Sequence, residues 1–144
     1  MFKKRFIVIL FSSLIISCSN NNNHYELKDF SIKDTASITS FRVSNTENST
    51  IEITRRNKEK KWLIKGTKFY ANKASVDLLM ETFYRIRVKQ DVPKSALNTV
   101  FNRLSVKYKK VEIFTDSDQP IKTWYIGSPT QDHLGTYMLL QKEE

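Results

Sequence analysis

The chain has 144 residues, one cysteine and a net charge of +9, with 24 lysines and arginines against 15 acidic residues. A single cysteine leaves no pair for an internal disulfide and no set of thiolates for a zinc site. The length is that of one domain, and a domain of this size can bury a core by packing alone.

The start of the chain has the three parts of a secretory signal. Basic residues occupy 3–5, an apolar run with two serines occupies 6–16, and Ser17 precedes Cys18. The apolar run is well short of the ~20 residues that a membrane-spanning helix needs. This order resembles a bacterial lipobox, in which diacylglycerol is attached to the cysteine thiol and the chain is cut before it. We therefore expect a lipoprotein signal peptide at 1–17 and lipidation of Cys18.

Two other interpretations of the start remain open. An uncleaved signal anchor would leave Cys18 a free thiol. A plain secretory signal usually has small residues at two positions before the cut, which Ile15 and Ile16 fit poorly. On the lipobox interpretation the protein lies in the cell envelope. Ser19, where an aspartate is associated with inner-membrane retention, favours the periplasmic face of the outer membrane.

The segment after the cysteine is polar and aperiodic. Residues 18–28 include four consecutive asparagines at 20–23, followed by His24. Such a segment cannot bury enough apolar surface to offset the entropy of ordering it. We predict a lipidated, Asn-rich tether at 18–28 and a folded domain at 29–144.

Three short segments after the tether alternate apolar and polar residues, which is the period of a half-buried β-strand. A polar segment at 44–50 and a predicted turn at 57–60 separate them, and the third ends near Gly66. We predict a three-stranded antiparallel meander with one apolar face. Its apolar positions are Ile38, Phe41 and Val43, then Ile51 and Ile53, then Trp62 and Ile64.

The period then changes to three and four residues, which is typical of amphipathic helices. Asn72 is the predicted N-cap of the first helix, because its side chain can accept from free first-turn amides. A shorter helix is predicted after Pro93, whose missing N–H is not needed in a first turn. The predicted buried faces are Val76, Leu79, Met80, Phe83 and Ile86, and then Leu97, Val100, Phe101 and Leu104.

Strand periodicity returns at Tyr108, with a turn at 116–120, a partner strand at 121–126, a loop at 127–135 and a last strand at 136–140. The predicted class is α+β, an antiparallel sheet packed against two amphipathic helices in the order β-β-β-α-α-β-β-β. The last strand is apolar. It therefore pairs within the sheet, or needs a partner or downstream sequence to cover its edge.

Two stretches carry a family resemblance: DFSIKDTASIT at 29–39 and GSPTQDHLGTYMLL at 127–140. With the Trp62 strand and segment 110–113 between them, they resemble an envelope lipoprotein family that carries the domain of unknown function 4340. The resemblance covers 29–140 and implies no known activity. Similar domains occur beside auxiliary subunits of ABC transporters, including some linked to gliding motility. Members commonly continue beyond the last strand, so the resemblance implies a truncated or split version here. It also implies a diacylglyceryl group on Cys18 and usually a further acyl chain on its amine.

A basic cluster is the candidate binding surface. An exported protein does not meet nucleic acid, so we expect no nucleic-acid partner and consider anionic lipid head groups or acidic envelope polymers instead. The alternative is a solvated strand face that prevents edge pairing. The cluster, opposed in the sequence by Glu59, consists of Arg55, Arg56, Lys58, Lys60, Lys61, Lys65 and Lys68.

Candidates for chemistry are few. His24 and His133 are the only histidines, too few with one cysteine for a zinc set. His133 follows Asp132, but no nucleophile elbow is present, and we expect His133 to hydrogen-bond within its own loop. The three glycines form no phosphate loop. We predict no catalytic residue, no metal and no cofactor.

These observations favour a non-enzymatic binding or scaffolding module, held to the membrane by a lipid anchor, with an envelope protein as a possible partner. An accessory subunit of a transporter or gliding-related complex, docking through its terminal strand, is the second hypothesis. The third is an enzyme acting on envelope polymers, which a pocket lined by Asp132 and His133 would favour.

Overall fold

The computed structural model describes residues 29–55 and 61–141. They form an α+β fold with one six-stranded sheet and two α-helices, as the sequence predicts. Short 3-10 turns at Thr35–Ser37 and Lys94–Ala96 precede the first strand and the second helix. In chain order the elements are β1 (Ser40–Asn45), β2 (Thr50–Arg55), β3 (Trp62–Ile64), α1 (Lys73–Arg85), α2 (Leu97–Val106), β4 (Lys109–Phe114), β5 (Lys122–Pro129) and β6 (Thr136–Leu140). No helix in these ranges is long and apolar enough to cross a bilayer.

The sheet consists of two antiparallel meanders joined at their first strands. The strand order is β3-β2-β1-β4-β5-β6, so β1 pairs with β2 on one side and with β4 on the other. Phe41 in β1 therefore lies between Ile53 and Ile113. Because side chains alternate across a strand, this register brings the apolar positions of both meanders onto one face.

α1 covers that apolar face with Val76 and Phe83, and aromatic rings form much of the core. Phe41 contacts the rings of Trp62 and Phe83 at centroid distances of 5.6 and 5.7 Å, and Phe83 contacts Trp124 at 5.3 Å. The predicted cap of α1 is confirmed, because Asn72 Oδ1 accepts from the Ser75 amide at 3.1 Å.

Three residues predicted to lie on buried faces are exposed instead: Phe101, Leu79 and Ile51, of which Ile51 in β2 is 55% exposed. The buried residues of α2 are Val100 and Leu104, whereas the Phe101 side chain is 50% exposed. Successive helical residues point about 100° apart, and α2 packs on β5 with the side that carries Val100 and Leu104, which directs Phe101 away from this contact. Leu79 of α1 is also partly exposed, at 36%.

The predicted loop at 127–135 is too long, because β5 continues to Pro129. The register between β5 and β6 shifts after Ile126, and this irregularity lets Pro129 pair with Thr136. Gly127 lies where Leu104 of α2 approaches the strand closely. A Cβ at Gly127 would lie 2.6 Å from Leu104 Cδ2.

Candidate functional site

The predicted lipid anchor lies outside the described residues. The signal peptide at 1–17, Cys18 and the tether up to residue 28 all precede the first described residue, Asp29. They remain predictions from the sequence.

The basic cluster lies partly within the described structure, which divides its members. Arg56, Lys58 and Lys60 fall outside the described residues, as does the turn predicted around them. Arg55 has a structural role: its guanidinium donates to the Ala36 carbonyl and lies 5.3 Å from the Trp62 ring centroid.

Lys65 is paired with a carboxylate on the face of the sheet away from α1. Lys65 Nζ lies 2.7 Å from Glu52 Oε1, and Arg42 Nη2 lies 3.1 Å from Glu52 Oε2. A second Arg42 nitrogen lies 3.5 Å from Glu112, which Lys110 also contacts at 2.8 Å. Besides Glu59, therefore, Glu52 opposes the cluster, and the charge of Lys65 is balanced within the fold.

Glu52 is the acidic centre of this network, with a side chain only 14% exposed. Burial raises its pKa, but the hydrogen bonds from Lys65 and Arg42 outweigh burial and hold the pKa below its ordinary value. Stabilisation by this carboxylate is therefore complete above the unfolded-state pKa of about 4.3 and is lost as the pH falls through the lower folded-state pKa.

Glu52→Gln is expected to reduce the free energy of unfolding at neutral pH by about 1 kcal/mol, because a charge-assisted hydrogen bond is replaced by a neutral one. The loss should be smaller at an acidic pH, because protonation removes the wild-type charge as the pH falls through the lowered folded-state pKa. Urea unfolding of both proteins at the two pH values measures this difference. An equal loss at both values would contradict the assigned role of the Glu52 charge.

The other two described lysines of the basic cluster, Lys61 and Lys68, lie beside two exposed aromatic residues. Phe69 is 73% exposed and Tyr70 is 59% exposed, and Lys68 immediately precedes them. Lys61 Nζ lies 5.5 Å from the Tyr70 ring centroid, within cation–π range. Neither aromatic residue is among the site residues predicted from the sequence, because both fall outside every predicted strand and helix. Their position between the Gly66 turn and the Asn72 cap could have indicated exposed aromatic residues.

An apolar groove of about 400 Å³ lies between α1 and the sheet. Phe41, Phe83, Trp124 and Met138 line it together with the partly exposed Leu79. Trp124 is 1% exposed, and its indole Nε1 is the only buried side-chain nitrogen or oxygen without a partner among the described residues.

The loop that follows β5 is closed by its own hydrogen bonds and lies outside the groove lining. Hydrogen bonds from the Thr130 hydroxyl and the Leu134 amide, with the Lys89 ammonium at 3.2 Å, lower the pKa of Asp132 to about 2. His133 adopts a positive φ of 55°, and its backbone amide donates to the Thr130 carbonyl at 3.0 Å. Asp132 thus serves as an acceptor in this turn.

The two edges of the sheet differ. The outer edge of β3 is covered, because Ile64 donates to the Phe69 carbonyl at 3.0 Å and Ala71 donates to the Trp62 carbonyl at 2.8 Å. β6 is the other edge strand, and it carries no charged residue. No segment within 29–55 or 61–141 pairs with its outer side.

No group of three or more histidine, cysteine, aspartate or glutamate side chains is placed to hold a metal ion in the described part of the chain. Comparison with protein-family models, with curated proteins and with solved structures found no match. The resemblance to the envelope lipoprotein family therefore remains a prediction from the sequence.

Proposed function

We propose that this protein is a lipid-anchored lipoprotein of the bacterial cell envelope whose α+β domain is a non-enzymatic binding or scaffolding module. The observation that carries the proposal is the start of the sequence, where basic residues and a short apolar run end at Ser17 and the only cysteine, Cys18. An attached diacylglycerol supplies two acyl chains, and two membrane signals are what stable anchoring requires.

Features of the domain support a binding role. The apolar groove is a space of about 400 Å³ beside the core. Protein interiors are usually close-packed, and ligand sites are concave and mostly apolar. Trp124, which lines the groove, has an indole N–H without an acceptor. Asp132 accepts hydrogen bonds within its own turn and lies outside the groove lining. The proposal therefore assigns the domain to binding and assigns no reaction.

Fractionation of cells that produce the chain tests the location. The protein is expected in the membrane fraction after washes with high salt and alkaline carbonate, because acyl chains hold it there rather than charge. On a density gradient it should accompany the outer membrane. Recovery in the soluble fraction before any wash would contradict the anchor, and recovery with the inner membrane would contradict the assigned face.

The uncovered edge of β6 favours a second candidate, an accessory subunit of an ABC-type transporter or gliding-related envelope complex. An edge strand without charged residues can accept a strand from another protein through its backbone groups. Size-exclusion chromatography of the detergent-extracted membranes separates the two candidates. A free-standing module elutes alone, whereas a subunit elutes within a larger assembly.

A further inference from the structure

We propose that the loop at 65–70, together with Lys61, is a second membrane contact that inserts Phe69 and Tyr70 into an anionic bilayer. We call these residues the membrane-contact loop. The proposal deepens the proposed function and rests on it only for the presence of a nearby bilayer.

The loop holds its aromatic side chains outward on an ordered backbone. The Thr67 amide and hydroxyl both donate to the Ile64 carbonyl, at 3.1 and 2.9 Å. The Phe69 amide donates to Thr67 Oγ1 at 3.1 Å, and the Phe69 carbonyl accepts from Ile64. Phe69 is nevertheless 73% exposed, so the fold presents a large apolar side chain to the surroundings without packing it.

Tyr70 is suited to the level of the lipid head groups. Its ring is 59% exposed and lies directly opposite Leu63 in an antiparallel bridge, which sets its direction. Tyrosine combines an apolar ring with a polar hydroxyl and is enriched at membrane–water interfaces for this reason. Phe69 and Tyr70 thus provide one side chain for the acyl region and one for the head groups.

The charges around the aromatic pair complement an anionic surface. Lys61 and Lys68 are exposed and form no salt bridge among the described residues, whereas Lys65 lies 2.7 Å from Glu52. A lysine near an anionic bilayer contributes on the order of 1 kcal/mol, which corresponds to about fivefold in the docking equilibrium. Exposed aromatic residues scattered singly on a surface would not by themselves indicate a binding site, so the proposal depends on the lysines beside them.

The predicted tether permits this contact. Ten residues lie between Cys18 and Asp29, and the eleven Cα–Cα steps from one to the other span at most about 40 Å when the chain is fully extended. A lipid on Cys18 thus keeps the domain near the bilayer without setting its orientation. A second contact at the membrane-contact loop would orient the domain.

The experiment places a reporter in the loop of the full lipidated protein. Phe69→Trp is reconstituted into vesicles of phosphatidylcholine and phosphatidylglycerol whose phosphatidylcholine is brominated in its acyl chains. Quenching by bromine then reports insertion into the apolar region. The matched control is Phe101→Trp, because Phe101 is 50% exposed on α2, which packs on β5. β5 lies four strands from β3, about 19 Å across the sheet.

We expect bromine to quench the added fluorescence of Phe69→Trp and to leave that of Phe101→Trp unchanged, after subtraction of the signal from Trp62 and Trp124. Adding Lys68→Gln to the Phe69→Trp protein should reduce the equilibrium constant for docking about fivefold. Adding Lys65→Gln should reduce it less, since Glu52 already balances that charge. Equal quenching at 69 and 101, or quenching that persists in vesicles of phosphatidylcholine alone, would overturn the proposal and leave the loop to a protein partner.

Failure here is distinguishable from failure of the lipid anchor. Flotation of the same vesicles reports attachment of the whole protein, and the mass of Cys18-containing peptides reports lipidation. If the Phe69→Trp protein floats with the vesicles while its added indole stays unquenched, the membrane-contact loop alone is disproved. If Cys18 is unmodified while the added indole of Phe69→Trp is quenched, the anchor alone is disproved.

Discussion

Cys18→Ala is expected to abolish the incorporation of radiolabelled palmitate into this protein. The thioether forms on the cysteine sulfur, and Cys18 is the only cysteine in the chain, so no other residue can replace it. The variant should also keep its signal segment at 1–17, because the cut depends on the modified cysteine. Palmitate labelling and immunoblotting of whole cells measure both effects, and each is all-or-none.

A matched substitution controls for damage to the signal itself. Ser17→Ala keeps a small residue before the cut, so it should label and mature as the wild type does. Palmitate in the Cys18→Ala protein would show that the acyl groups lie elsewhere. Wild-type protein that takes up no palmitate would contradict the anchor altogether.

Phe41→Ala is expected to cost about 3–5 kcal/mol of unfolding free energy. Phe41 is 1% exposed in β1, and its ring contacts those of Trp62 and Phe83. Its removal would leave a cavity at the point where both meanders and α1 meet. Urea denaturation followed by circular dichroism measures the loss as a lower midpoint at an unchanged slope.

Phe101→Ala is the control for this prediction, because it removes the same atoms from a half-exposed position. It should cost well under 1 kcal/mol, as surface substitutions do. A cost at Phe101 equal to that at Phe41 would mean that α2 buries the face predicted from the sequence, and that its packing on β5 is described wrongly.

The local elements could be predicted from the sequence because each depends on near neighbours. Period-two alternation located β1 and β2, whose register pairs Phe41 with Ile53, and Asn72 marked the start of α1. The pairing of β1 with β4 could not be predicted in this way. It joins residues some seventy positions apart, such as Phe41 and Ile113, and no local pattern specifies such a partner.

The errors and omissions have the same cause. Phe101 belongs to a helical stripe, but the width of the contact with β5 decides which part of the stripe is buried. Gly127 and Pro129 indicate a loop by composition, but both belong to β5, where the shifted register lets Pro129 pair with Thr136. Lys65 is one lysine among many in the sequence, and only the register of β2 and β3 places it at Glu52.

The mass of the N-terminal peptide of the mature protein tests the central claim most directly. After purification from membranes and proteolysis, the first peptide is expected to begin at Cys18 and to carry a diacylglyceryl group on its sulfur. A further acyl group on its amine is expected from the family resemblance. A mature N-terminus elsewhere, or a peptide containing an unmodified Cys18, would contradict the claim that lipid holds this protein to a bilayer.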